Sequence, residues 1–159
     1  MKRNRILSIL IILMLCLIWG NSMLPGTVSG QISDTVMDGM NSLAEKLGSQ
    51  PELFTVMIDQ DGDGVKEPTS FLVRKLAHVT EFAVLAVLLW LRLGHKSRMR
   101  APLAIGLGAL AGAIDETIQI FSHRGSQVAD VLIDACGAVL GVAVVTWLAA
   151  RRRGRTKQD

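Results

Sequence analysis

The side chains in this sequence that can do chemistry fall in a few short blocks set in long apolar runs. The first block reads R-K-L-A-H-V-T-E at residues 74–81. Arg74, His78 and Glu81 recur at i, i+4 and i+7, so a guanidinium, an imidazole and a carboxylate share one stripe of a helix. Lys75 stands about 100° round from Arg74. Further along come Asp115, Glu116 and Gln119, then Arg124 in a short polar turn, then Asp130 and Asp134 one turn apart. An imidazole among carboxylates suits general acid–base work. Crowded carboxylates suit a divalent cation, and Arg74, Lys75 and Arg124 suit a phosphate. The candidate catalytic groups are His78, Glu81, Asp115, Glu116 and Asp134. The candidate ligand-binding set adds Arg74, Lys75, Gln119, Arg124 and Asp130. No Ser-His-Asp order, HExxH or Walker-type loop accompanies them, so no particular reaction is singled out.

These groups need elements to hold them, and the composition says which. Of 159 residues, 50% are hydrophobic, Tyr is absent and aromatics are 4%. The mean hydropathy is +0.38. Apolar runs of this length point to an all-α polytopic membrane protein forming one domain over 1–159. Four transmembrane helices are expected at about 6–24, 71–93, 101–121 and 127–150. The first run carries Lys2, Arg3 and Arg5 ahead of it. It is expected to be a retained helix rather than a cleaved leader, because no small-x-small cleavage pair follows it. Asn21 and Ser22 at its far end either cap that end or face the polar residues. Cys16 and Cys136 read as small buried hydrophobes rather than a disulfide or metal pair. Gly108 and Gly112, and Gly137 and Gly141, are small-xxx-small pairs suited to close helix packing.

Residues 25–70 form a loop of different character, rich in Asp and Glu. Within it Ile32, Val36, Met40, Leu43 and Leu47 recur at helical spacing and Gly48 follows, which predicts an amphipathic helix with a glycine stop. Asp59, Asp61 and Asp63, with a glycine at position 6 and Glu67 at position 9, match the opening of an EF-hand loop. Position 12 is Ser70 instead of a bidentate Glu. The stretch is therefore either a weak calcium site or a plain acidic Asp-Gly turn.

Charge distribution sets the expected topology. The N-terminal tip, the 92–100 loop and the C-terminal tail are basic, and the 25–70 loop is acidic. The positive-inside rule then places both termini in the cytoplasm and the long loop outside. It also brings Arg74, Lys75, His78, Glu81, Asp115, Glu116, Gln119, Arg124, Asp130 and Asp134 into one layer near the outer face. Ionisable groups inside a membrane are costly and mark function by default. The plainer alternative is an interhelical ion-pair network linking Arg74 or Lys75 to Asp115, Glu116 or Asp134. By sequence count this layer has two more carboxylates than basic side chains, an excess that a proton, a cation, a protonated His78 or a positively charged ligand would balance.

The blocks R-K-x-x-H-x-x-E-F at 74–82, D-E-x-x-Q-x-F at 115–121, R-G-S at 124–126 and D-x-x-x-D-x-x-G-x-x-x-G at 130–141 resemble the VanZ-like family of bacterial membrane proteins. The resemblance spans about 22–141. Phe82 stands where that family more often shows Tyr. The family takes its name from a member linked to resistance to the glycopeptide teicoplanin. The resemblance therefore implies a role in the bacterial cell envelope, at the cell membrane, with the site on the extracytoplasmic side. The expected partners are membrane lipids and a lipid-linked or peptide-like envelope ligand, with no nucleic acid. The expected cofactor is at most a divalent cation. One alternative is a membrane hydrolase or transferase acting on a lipid-linked or phosphorylated envelope substrate. Another is a small transporter, disfavoured because the polar residues stop short of the cytoplasmic half.

Overall fold

The structure, a computed structural model, describes residues 2–24, 26–48, 56–58, 67–69, 71–94, 99–121 and 128–155. The elements follow in the order α1 (Lys2–Met23), α2 (Gly26–Lys46), β1 (Val56–Ile58), β2 (Glu67–Thr69), α3 (Phe71–Leu93), α4 (Arg100–Phe121) and α5 (Val128–Arg155). The chain divides into two compact units, one of Met1–Met23 with His78–Asp159, the other of Leu24–Ala77. Helix α3 starts in the second unit and continues into the first.

Four helices are long and apolar enough to cross a membrane: Lys2–Met23, Val73–Leu93, Arg100–Phe121 and Asp130–Arg152. These match the four expected spans, with α1 and α5 running on through their basic ends. The helical unit is strongly apolar on its outside and buries a polar layer beside its apolar core. Ile9, Leu13 and Leu17 of α1, Leu103, Leu107 and Leu110 of α4, and Leu140 and Val144 of α5 are exposed, whereas Ser22, Asp115, Glu116, Gln119 and Asp134 are buried. An apolar outer surface of this extent suits surroundings of hydrocarbon. Cys16 and Cys136 follow the same logic. Neither is in a disulfide, and both are exposed, contrary to the expectation of burial. An apolar residue on a spanning helix has lipid as well as core to face.

Small residues let the helices close on one another. A Cβ built on Gly137 would fall 2.5 Å from the Val79 carbonyl oxygen, and one on Gly141 would run into the Ala83 backbone. α5 therefore lies directly on the backbone of α3, a contact that only glycine allows. Gly108 and Gly112 of α4 make room for the side chains of Ala138 and Asp134 of α5. One apolar cluster joins Ala86, Trp90, Ala104, Ala138 and Val142. A second joins Ile18, Phe82, Leu85 and Ala111. Trp19 of α1 donates its indole N–H to the Ala111 carbonyl of α4 at 3.4 Å.

In the other unit, α2 bears the anticipated apolar stripe. Its C-terminal end is closed by Leu47 N–H to the carbonyls of Leu43 and Ala44 and by Gly48 N–H to that of Glu45. Gly48 takes φ +75° there, the left-handed conformation that makes glycine the usual helix stop. The strands β1 and β2, absent from the sequence expectation, pair antiparallel with Val56 opposite Thr69, Met57 opposite Pro68 and Ile58 opposite Glu67.

Candidate functional site

The polar side chains meet at the end of the helical unit where α1 and α4 finish and α3 and α5 begin. His78 and Asp134 enter about two turns into α3 and α5, and Asp115 lies about two turns before the end of α4. His78 Nδ1 stands 3.3 Å from Asp134 Oδ1. Asp134 is 0% exposed, and the His78 side chain is 19% exposed. A Cβ on Gly112 would stand 2.9 Å from the Asp134 Cβ and 3.0 Å from its Oδ2. The missing side chain on α4 is therefore what gives the Asp134 carboxylate its space. The His78 ring stacks with Phe82, with centroids 6.4 Å apart and planes 10° off parallel, which fixes the imidazole plane. Phe82 does this with no hydroxyl.

Asp115 is held from two sides. Ser22 Oγ donates to its Oδ1 at 2.6 Å, and Gln119 Nε2 donates to its Oδ2 at 2.8 Å. The same Gln119 nitrogen reaches Glu116 Oε1 at 3.1 Å. Asp115 is thus met by two neutral donors, with the His78 imidazole close enough to interact with it electrostatically. Asp134 is treated differently. Neither of its oxygens accepts a hydrogen bond among the described residues, and His78 Nδ1 is likewise without one. The 3.3 Å approach between them lacks hydrogen-bond alignment. One ligand atom each from His78, Asp115 and Asp134 can be chosen so that all lie within 4.8 Å of one another. Glu81 on α3 lies close enough to interact electrostatically with all three.

The cluster is therefore an imidazole surrounded by carboxylates in a closed apolar bundle. Such a layer is poor glue, since polar contacts between spans contribute about 0.6–2 kcal/mol each while a buried carboxylate costs several. It suits a cation, a proton relay or a polar ligand.

Of the expected site residues, the structure brings together His78, Glu81, Asp115, Glu116, Gln119 and Asp134. Arg74 and Lys75, half-buried in the first turns of α3, belong to the other unit. Asp130 opens α5 one turn before Asp134 and is half-buried. Arg124 lies outside the described residues, as do Asp59, Asp61 and Asp63, and Glu67 begins β2. Ser22, left between two readings in the sequence, faces the site. Gly112, read only as a packing residue, shapes it. The opposite end of the unit is basic. There Arg92 Nε donates to Ser8 Oγ at 3.1 Å, Arg100 lies 3.8 Å over the Trp90 ring and Arg151 lies 3.9 Å over the Trp147 ring.

A protein-family model described as VanZ/LLP1 matches residues 7–149, most of the chain. No curated protein matches the chain, and no solved structure does.

Proposed function

The chain is a membrane protein that belongs to the VanZ/LLP1 family, and from that premise we propose that its buried polar cluster opens to the extracytoplasmic face of a bacterial membrane. There it binds a component of the cell envelope, lipid-linked or peptide-like, and so lowers susceptibility to glycopeptides of the teicoplanin kind. The observation that carries this reading is the buried layer of Ser22, Asp115, Glu116, Gln119 and Asp134 at the end of the unit away from Arg92, Arg100 and Arg151. Arginines near span ends favour the cytoplasm, and that preference supports an outer position for the cluster.

The test is teicoplanin susceptibility of cells carrying the wild type, His78→Ala or Asp115→Asn at equal membrane levels. Loss of protection in both variants supports the reading. Unchanged protection in both removes the cluster from the function. Reporter fusions after Arg5, Gly48, Lys96 and Gly154 check the orientation, and a cytoplasmic Gly48 sinks it.

A second reading draws on the 3.3 Å approach of His78 to Asp134. A histidine beside a buried carboxylate is also the arrangement of an enzyme working by acid–base chemistry on a lipid-linked or phosphorylated substrate. Turnover of a lipid-linked precursor by purified protein, lost in His78→Ala, would select it.

A further inference from the structure

We propose that His78, Asp115 and Asp134 hold a zinc-class divalent cation. The inference rests on reading this cluster as the working site and names what completes it. Acidic side chains gathered together would not suffice. The independent observation is Asp134, fully buried and aimed into the cluster with both oxygens lacking a hydrogen-bond donor among the described residues. His78 Nδ1 beside it is equally unsatisfied. Buried polar atoms nearly always find partners, and here one imidazole nitrogen and two carboxylate oxygens lack one common partner.

The geometry suits that partner. Zinc bonds nitrogen and oxygen ligands at about 2.0–2.2 Å, so neighbouring ligand atoms in a tetrahedral site stand about 3.3–3.6 Å apart. His78 Nδ1 and Asp134 Oδ1 are already 3.3 Å apart. The outer limit of 4.8 Å for the set closes with side-chain shifts of about 1 Å. An imidazole in the set favours zinc-like cations over calcium or magnesium, which take oxygen. Three protein ligands leave the fourth position open, as in sites that bind a water or a ligand oxygen. Glu81 adds further negative charge nearby.

The surroundings of the ligands fit as well. Ligating carboxylates are usually oriented by outer hydrogen bonds. Asp115 has one on each oxygen, from Ser22 and Gln119. Each oxygen keeps a lone-pair site for a metal. Phe82 fixes the imidazole plane, and Gly112 keeps space beside Asp134.

The full chain, purified in detergent without chelators, is equilibrated with Zn²⁺ and its metal content measured after desalting. Stoichiometric zinc is expected in the wild type and in the control Asp38→Asn on α2. Background zinc is expected in His78→Ala and Asp134→Asn. Ser22→Ala is expected to weaken affinity on the order of 10-fold. No zinc in the wild type, or full zinc in both ligand variants, overturns the inference. X-ray absorption at the zinc edge of the wild type needs no variant to fold. Imidazole scattering with a nitrogen–oxygen shell is expected, and sulfur ligation or an all-oxygen shell overturns the assignment. Failure here and failure of the proposed function are separable. Protection that depends on His78 in zinc-free protein discards only the metal. A zinc-loaded protein whose ligand variants protect fully discards only the envelope role.

Discussion

Gly112→Ala tests the site through its architecture rather than its chemistry, and Gly108→Ala is its built-in control. Both glycines lie on α4, one turn apart, and both face α5. The added Cβ falls 2.9 Å from the Ala138 Cβ at position 108, and 2.9 Å from the Asp134 Cβ at position 112. Carbon atoms in contact sit about 3.5–4.0 Å apart, so each substitution demands a shift of roughly 0.6–1 Å. Overpacking of that size costs about 1–3 kcal/mol, and the two variants should lose stability by similar amounts in thermal unfolding of the detergent-solubilised protein. They should differ at the site. At 108 the displaced neighbour is an alanine. At 112 it is Asp134, whose Oδ2 would also stand 3.0 Å from the new methyl and whose Oδ1 would be driven from its place beside His78. Zinc affinity in Gly112→Ala should fall about 10- to 100-fold, the range for disturbed ligand support, and glycopeptide protection should fall with it. Gly108→Ala should keep both. Equal zinc affinity and protection in the two variants would refute the view that Gly112 exists to seat Asp134.

Other expectations follow from the same contacts. Ser22→Ala removes the 2.6 Å bond to Asp115 and should destabilise by about 1 kcal/mol; a double-mutant cycle with Asp115→Ala should return a coupling of that size, and zero coupling would mean that the bond is not made in solution. Asp134→Leu exchanges a buried carboxylate for a bulkier apolar side chain at a position packed against Gly112. It should lower unfolding stability of the metal-free protein by about 1–3 kcal/mol through overpacking while abolishing zinc binding; an unchanged or raised melting temperature would show that the position has room to spare. Gly141→Ala places a methyl against Ala83 backbone atoms, with the Cα and carbonyl carbon both at 2.8 Å. Backbone cannot rotate away, so a loss of about 3 kcal/mol or more is expected, read as poor accumulation in the membrane and early unfolding; near-normal stability would refute the intimate α3–α5 contact.

The spans were legible because a bilayer demands long apolar helices, and little else in a sequence imitates that pattern. The acidic residues of α4 and α5 were legible for the converse reason, since Asp115, Glu116 and Asp134 interrupt such runs at a cost. Direction was harder to read. A stripe on one helix says which side chains travel together and not what they meet. Of the stripe on α3, His78 and Glu81 fall with Asp115 and Asp134, while Arg74 falls in the other unit. Cys16 and Cys136 were misjudged because apolarity does not distinguish lipid from core. Ser22 was ambiguous because serine is common at helix ends, and nothing local distinguishes a cap from a donor to Asp115 on a helix over ninety residues away. The β1–β2 pair left no alternating pattern, its strands being three residues each with Pro68 in one of them.

The polar layer buried among these apolar helices has a consequence for how the protein is made. Helices enter the bilayer before they pack, and α4 enters poorly equipped. Its hydropathy is 1.3 against 2.3 for α1, and it carries Asp115 and Glu116. A carboxylate at mid-membrane costs about 2.5–3.5 kcal/mol on insertion scales, somewhat less nearer the interface. α1 is synthesised first, so Ser22 and the Trp19 indole are in place when α4 arrives, and α5 follows with the glycines that close the bundle. An unaccompanied α4 presents bare carboxylates to lipid. The acidic layer is thus expected to be stable in the bilayer only once its neighbours have surrounded it.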